Sequence, residues 1–265
     1  MIGTTQEVEI TQFMNQVSKL PTIIVPARLE SQRFPRKLLA EVKGKPLILW
    51  TAERIREIVP EFALYFAVDG EELAELLENS GFSIVMTDPE LPSGTDRIAA
   101  ANREIQANLI LNIQGDEPLV ERSHILALAS GLELDKASMS TVAVPFSSEK
   151  DFLDPNQVKV LCDQLGYALY FSRSPIPYNR NHSSLWENKQ ANLPLKHLGM
   201  YGYNADFLGR FLTFPEGKLE KVEKLEQLRA LENGEKIAVS TVDSETHGID
   251  IPQDLARFEK FIQSQ

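Results

Sequence analysis

Short apolar runs alternate along the first half of the chain with stretches whose apolar residues recur at helical spacing. PTIIVPAR reads as a strand ending in a polar loop, and PLILWTAERIREI as a helix opening near Pro46. The unit then repeats: ALYFAVD leads into EELAELLENSG, SIVMTD into SGTDRIAAANREI, and LILNIQGD into ERSHILALASGL. Strands alternating with helices predict an α/β fold, a mostly parallel sheet flanked by helices.

Past about Met139 the rhythm changes. STVAVPF, VKVLCD and YALYFSR read as strands, the last two joined by the short turn QLG, so residues 140–205 are expected to form a smaller, mainly antiparallel portion. Pro175 to Pro194 carries little periodicity and reads as an irregular loop beside a site. HLGMYGYN resumes a strand, LEKVEKLEQLRALENG predicts one helix stopped at Gly234, and KIAVSTVD and QDLARFEKFIQ close with a strand and a helix. Ile10, Phe13, Met14, Val17 and Leu20 lie at helical spacing, which makes residues 1–20 a helical extension ahead of one domain at 21–265.

Composition narrows the functional classes. With 265 residues, 43% of them hydrophobic, the chain can bury a substantial core. Its single cysteine, Cys162, excludes an internal disulfide and suits a reducing compartment. The start MIGTTQEVEI has no basic segment followed by an apolar run, and no stretch approaches a membrane span, so a cytoplasmic protein without membrane insertion is expected. A net charge of -11 argues against general affinity for nucleic acid. That charge is uneven. Glu57 to Asp96 holds ten acids and no Lys or Arg, a solvated helical face, whereas Arg28 to Lys45 holds six cations against Glu30 and Glu41, where an anionic ligand belongs.

Ligands of open α/β sheets bind outside the carboxyl ends of the strands. After the first strand stand Arg28, Ser31, Arg33 and Lys37, a basic loop able to grip a triphosphate. Neither a Walker loop nor a GxGxxG fingerprint follows, which disfavours ATPase and dehydrogenase chemistry. LILNI runs into Gln114, Gly115 and Asp116, and HGIDIPQDL sets Asp250 between a strand and a helix start, where it serves either as a metal ligand or as a helix cap. Magnesium takes one or two carboxylates plus substrate phosphates, so two strand-end aspartates beside a basic loop suit a nucleotide site holding Mg2+.

Eight segments occur in one order: IIVPARLESQRFPRKLL, SGTDRIA, NIQGDEPLV, VKV, YALYFSRSPIP, KHLGMYGY, EKLEQLRALENGEKI and GIDIPQDL. Together they resemble the 3-deoxy-manno-octulosonate cytidylyltransferases from Pro21 to the C-terminus. The resemblance implies a nucleotide-diphospho-sugar transferase-like α/β fold, a homodimer, and transfer of CMP from CTP to an acidic eight-carbon sugar for bacterial lipopolysaccharide. It implies that Arg28, Ser31, Arg33 and Lys37 form the triphosphate loop, and that Ser93, Gly94, Thr95 and Arg97 form the nucleotide-side motif. Asp116 and Asp250 become the magnesium ligands, and Gln114, Arg173, His197, Tyr201, Glu226 and Gln227 the sugar pocket.

Departures from that pattern are Arg36, where the family usually has Gly, Leu38, where it has Pro, and AVDG in place of ATDD after the second strand. Arginine at a glycine position restricts the backbone and adds charge, so the loop's geometry becomes a question for the structure. Other readings are the same chemistry on the 8-amino sugar or another acidic sugar, a GT-A-like glycosyltransferase, and an inactive binding protein. Pyrophosphate release separates the first of these from the second.

Overall fold

The computed structural model describes residues 20–30, 34–180 and 194–264, so the expected N-terminal helix, Ser31, Arg33 and much of the Pro175–Pro194 loop lie outside the described residues. β1 (Thr22–Ala27), β4 (Ala63–Val68), β5 (Ser83–Met86) and β6 (Leu109–Asn112) form a parallel block in the order β6-β1-β4-β5. β2 (Glu41–Val42) and β3 (Lys45–Pro46) make a separate small hairpin. Beyond β6 the main sheet continues through β10 (Leu195–Asn204), β7 (Met139–Pro145) and β11 (Ile237–Thr241). A hairpin of β8 (Lys159–Cys162) and β9 (Ala168–Ser172) joins the near end of β10.

β10 runs antiparallel to both β6 and β7, while β11 runs parallel to β7. Along the path from β11 to β5, therefore, β10 alone points the other way. This reversal decides where its side chains go. The forward strands present their carboxyl ends at one edge of the sheet, and β10 presents its beginning there, with Leu195 opposite Pro145 and Tyr201 opposite Asn112.

The switch in strand order lies at β1, whose neighbours are β4 on one side and β6 on the other. A crevice at such a switch point is where open α/β sheets bind ligands. The loops after β1 and β6 meet there.

Helices cover both faces because the central strands β1 and β6 are apolar on both sides. α1 (Leu47–Ile58), α2 (Glu71–Asn79) and α4 (Arg122–Gly131) cover the face holding Ile23, Val25, Phe66 and Leu111. α3 (Gly94–Ile105) and α6 (Ala205–Phe211) cover the face holding Ile24, Ala67, Ile110 and Tyr203. A short α5 (Glu149–Leu153) precedes the β8–β9 hairpin. Among the described residues no helix is long and apolar enough to cross a membrane.

One prediction fails. LEKVEKLEQLRALENG forms two helices, α7 (Lys218–Glu223) and α8 (Gln227–Glu232), separated by Lys224 in the left-handed region at φ 53°. Arg173 explains the break: its guanidinium donates to the carbonyls of Glu223 and Lys224, taking acceptors that a continuous helix would use. The backbone thus turns, and Glu226 and Gln227 line a cavity.

The last helix, α9 (Pro252–Gln263), packs back on α1 through an edge-to-face contact of Trp50 and Phe258 at 5.6 Å. Val42, Leu47 and Ile249 complete this apolar cluster. Burying Ile249 contributes roughly 1.5–3 kcal/mol and fixes the chain one residue before Asp250.

Candidate active site

Three elements far apart in sequence converge at the switch point. Lys37, on a single 3-10 turn after β1, donates from Nζ to Asp116 Oδ2 and lies 3.3 Å from Asp250 Oδ1. Asp116 follows β6, and its carbonyl accepts from the Ile249 amide at 2.9 Å, which ties the segment carrying Asp250 to the β6 loop.

The helix-cap alternative for Asp250 does not describe its geometry. Asp254 accepts from the amides of Asp250 and Ile251 at 3.2 Å, so the start of α9 is capped from within the helix. The Asp250 side chain turns to Lys37.

Two carboxylates converging on one cation have the hard oxygen chemistry that magnesium takes, leaving further positions to phosphate and water. The described residues therefore fit a divalent ion held by Asp116 and Asp250. Among them no group of three or more His, Cys, Asp or Glu side chains forms an all-protein cage.

Asp250 also lines a cavity of about 820 Å³, together with His197, Tyr201, Glu226 and Gln227. His197 is partly buried, and its Nε2 lies 2.9 Å from Thr141 Oγ1. Because the Thr141 hydroxyl donates to the Met200 carbonyl at 2.7 Å, His197 donates from Nε2 and keeps Nδ1 as an acceptor. Burial lowers its pKa from 6.5 to about 3, so the ring is neutral at pH 7.

Tyr201 stacks obliquely on His197, with ring centres 5.4 Å apart. Burial, then Tyr203 and Glu226, raise its phenol well above the ordinary range. Gln227 is 3% exposed, and its Nε2 finds no protein acceptor, which leaves a buried donor among the cavity residues.

Thr95 and Glu226 join the two halves of the site. The Thr95 hydroxyl, at the start of α3, donates to Glu226 Oε1. Burial raises the Glu226 pKa, partly countered by that bond and by Arg229. Ser93 caps α3 by accepting from the Asp96 amide at 3.1 Å, and Gly94 opens the helix. Arg97 is fully buried, with its NH2 3.1 Å from Asp69 Oδ2, while the Asp69 Oδ1 accepts from the Leu29 amide at 2.8 Å. Asp69 thus braces Arg97 against the strand end that carries Arg28. Burial still lowers the Arg97 pKa.

Three expected residues, like Lys37 and Asp116, stand outside the cavity lining. Arg28 donates to the Leu91 carbonyl at 3.2 Å and Gln114 donates to Asn112 at 3.1 Å; neither is among the residues lining the cavity. Arg173 is also outside that lining, bonded to the carbonyls of Glu223, Pro155 and Lys224. The buried ammonium of Lys159 supports it, donating to the carbonyls of Asp154 at 2.7 Å and Arg173 at 2.9 Å. Arg173 thereby shapes the Lys224–Gln227 turn.

Sequence reasoning passed over Glu117 and Lys196, which both line the cavity. Burial, followed by the Asp116 charge, raises the Glu117 pKa to about 8, with a Thr246 hydrogen bond opposing. A second acid directly after Asp116 in the loop following β6 was the available signal. Lys196 pairs with Glu245 at 2.7 Å.

The cytidylyltransferase family profile matches residues 22–237. A 3-deoxy-manno-octulosonate cytidylyltransferase of Thermodesulfovibrio yellowstonii is 41% identical over 91% of this chain and 97% of its own. One from Bdellovibrio bacteriovorus is 44% identical over the same shares. The chain belongs to the 3-deoxy-manno-octulosonate cytidylyltransferase family.

A solved relative in that family's fold, a CMP:2-keto-3-deoxy-manno-octonic acid synthetase complexed with CTP, is 32% identical with a TM-score of 0.85. The match covers 93% of this chain and 99% of that one. A cytidylyltransferase of Leptospira borgpetersenii, 11% identical with a TM-score of 0.59 over 92% and 87% of the two chains, shares the fold. Lys37, Asp116 and Asp250 converge at the end of the sheet where open α/β folds bind ligands.

Proposed function

We propose that the protein transfers CMP from CTP to the anomeric hydroxyl of 3-deoxy-D-manno-octulosonate, giving CMP-KDO and pyrophosphate for lipopolysaccharide biosynthesis. One observation carries the reading in this family: Asp250 faces Lys37 and also lines the cavity of His197, Tyr201 and Gln227. Phosphate and sugar sites of that kind share an edge, so a sugar hydroxyl and an α-phosphate can meet there.

The anomeric oxygen forms a bond to the α-phosphorus, the bond from that phosphorus to the β-bridging oxygen breaks, and the hydroxyl proton is released. Positioning and electrostatics supply most of the catalysis of such a transfer. Lys37 and Arg28, with Arg33 in the same loop, would offset the charge that grows on the leaving pyrophosphate. Ser31, Ser93 and Gly94 would place the nucleotide beside Arg97. Magnesium held by Asp116 and Asp250 would neutralise phosphate oxygens and favour ionisation of the sugar hydroxyl.

In the sugar pocket, Gln227 would donate to a hydroxyl, and His197 would accept one at Nδ1. Tyr201 and Glu226 wall the same space, with Glu226 held in place by Thr95. Arg173 and Gln114 set the backbone and strand end around it. An acidic sugar is supported by the family, and Lys196, Lys224 and Arg257 are the cations among the residues lining the cavity. The homodimer and the cytoplasmic setting belong to the same proposal; exposed Leu165 and Leu169 on the β8–β9 hairpin offer apolar surface for a second copy, which sedimentation tests.

A coupled pyrophosphate assay with CTP and several acidic sugars tests the reading. Turnover with 3-deoxy-D-manno-octulosonate supports it, a clear preference for the 8-amino sugar changes the acceptor only, and no pyrophosphate with any sugar contradicts it.

A further inference from the structure

The Lys37 ammonium stands between two carboxylates that are also suited to a divalent ion. Its backbone is fixed. Lys37 N–H donates to the Phe34 carbonyl and the Ala40 amide donates to the Lys37 carbonyl, both at 3.1 Å, and the neighbouring Leu38 is buried. The ion pair of Arg36 with Glu72 anchors the same turn to α2. What remains free to move is the four-carbon stem, whose end is a compact point charge.

A magnesium-sized ion sits about 2.0–2.1 Å from its oxygen ligands. Bound by Asp116 and Asp250, it would occupy the space in which the ammonium now meets both side chains. Two cations at that separation repel, and at an effective dielectric of 20 the interaction is several-fold larger than in bulk water. Metal and ammonium therefore exclude each other there. An ammonium displaced from the carboxylates keeps its charge and needs a new anion, and the triphosphate of the proposed reaction supplies one within reach of the same loop.

We infer that Lys37 is an internal place-holder for the divalent ion, pairing Asp116 and Asp250 until the nucleotide draws its ammonium away. The inference rests on the cytidylyl-transfer reading for the identity of that anion, and on the contacts alone for the competition. Coupling between two ligands is reciprocal, so metal and nucleotide each raise the other's affinity, with Lys37 as the exchanged element. A lone metal then binds poorly, which keeps the site from being loaded out of order.

The experiment reads metal binding rather than turnover. Binding of Mn2+ to the full chain without nucleotide is followed by the electron paramagnetic resonance signal of free Mn2+, for the wild type, Lys37→Met, Lys37→Gln and Lys45→Met. Lys45 pairs with Glu53 at 2.7 Å, so its loss changes the net charge equally without touching either aspartate. Lys37→Met should tighten Mn2+ binding by at least about tenfold, Lys45→Met by less than about twofold, and Lys37→Met/Asp250→Asn should lose the gain.

Unchanged or weaker Mn2+ binding in folded Lys37→Met, or an equal gain in Lys45→Met, would overturn the inference. If Lys37→Met melts early, Lys37→Gln answers in its place. Pyrophosphate release by the wild type judges the transferase reading separately: release with no gain in Lys37→Met removes only the place-holder, and a gain without release removes only the transferase.

Discussion

The guanidinium of Arg36 lies 2.5 Å from a carboxylate oxygen of Glu72, while its backbone occupies the left-handed region at φ 54°. The position does require the conformation that glycine favours, and arginine adopts it at a cost of about 1–2 kcal/mol. The side chain points along α2 rather than towards Asp116, so the added charge does not join the Lys37 cluster.

Arg36→Gly should accordingly remove strain and lose an exposed ion pair worth about 0–1 kcal/mol. Denaturant unfolding should show a stability change within about 1 kcal/mol, and turnover should persist. Loss of activity as large as that of Lys37→Ala would make Arg36 a ligand in its own right.

Asp116→Asn and Asp250→Asn are each expected to lower turnover by at least about a hundredfold with the fold kept, the scale of losing one strong transition-state contact. The cap of α9 belongs to Asp254, whose replacement by Ala should instead cost about 1 kcal/mol of stability. Circular dichroism alongside steady-state rates separates the two. An Asp250→Asn enzyme with full turnover would sink the metal-ligand role.

Gly248 makes room for Glu117: a Cβ there would lie 2.9 Å from Glu117 Oε1. The other oxygen of that carboxylate, Oε2, is buried, which limits how far the side chain can yield. Gly248→Ala should push the segment bearing Asp250 away from Asp116, costing about 1–3 kcal/mol and reducing kcat more than the KM for CTP. The rate measurement decides, because a wild-type kcat would show that the segment relaxes freely.

His197 gives a pH signature. Its folded pKa is depressed to about 3 by burial, below the ordinary 6.5, so the unfolded chain binds the extra proton between those values. Its contribution is complete above about pH 6.5 and is lost as pH falls towards 3. Comparing His197→Gln with the wild type at pH 5 and pH 7 isolates this residue, since other groups cancel in the difference. The wild type should lose more stability on acidification; equal losses would mean that the imidazole charges in place.

Much of the scaffold was legible because each apolar run is short, bounded and followed by a helical period, as in LILNI before Asp116. The direction of β10 was not, since HLGMYGYN has the same pattern whichever way it runs, and only pairing sets it. The break at Lys224 was hidden for a similar reason. Its periodicity continues across 218–232, and the acceptor-taking arginine, Arg173, lies 51 residues away from Lys224. Thr95 was assigned by motif to the nucleotide, yet its hydroxyl reaches Glu226 on the sugar side. Long-range hydrogen bonds of that kind leave no local trace.

The most direct test of the account is pyrophosphate release from CTP in the presence of magnesium, compared for 3-deoxy-D-manno-octulosonate, its 8-amino relative and a nine-carbon sialic acid, with CTP saturating. The octulosonate should give the highest kcat/KM, and Asp250→Asn should lose release. Absence of pyrophosphate with every sugar, or release that is indifferent to Asp250, would contradict the account.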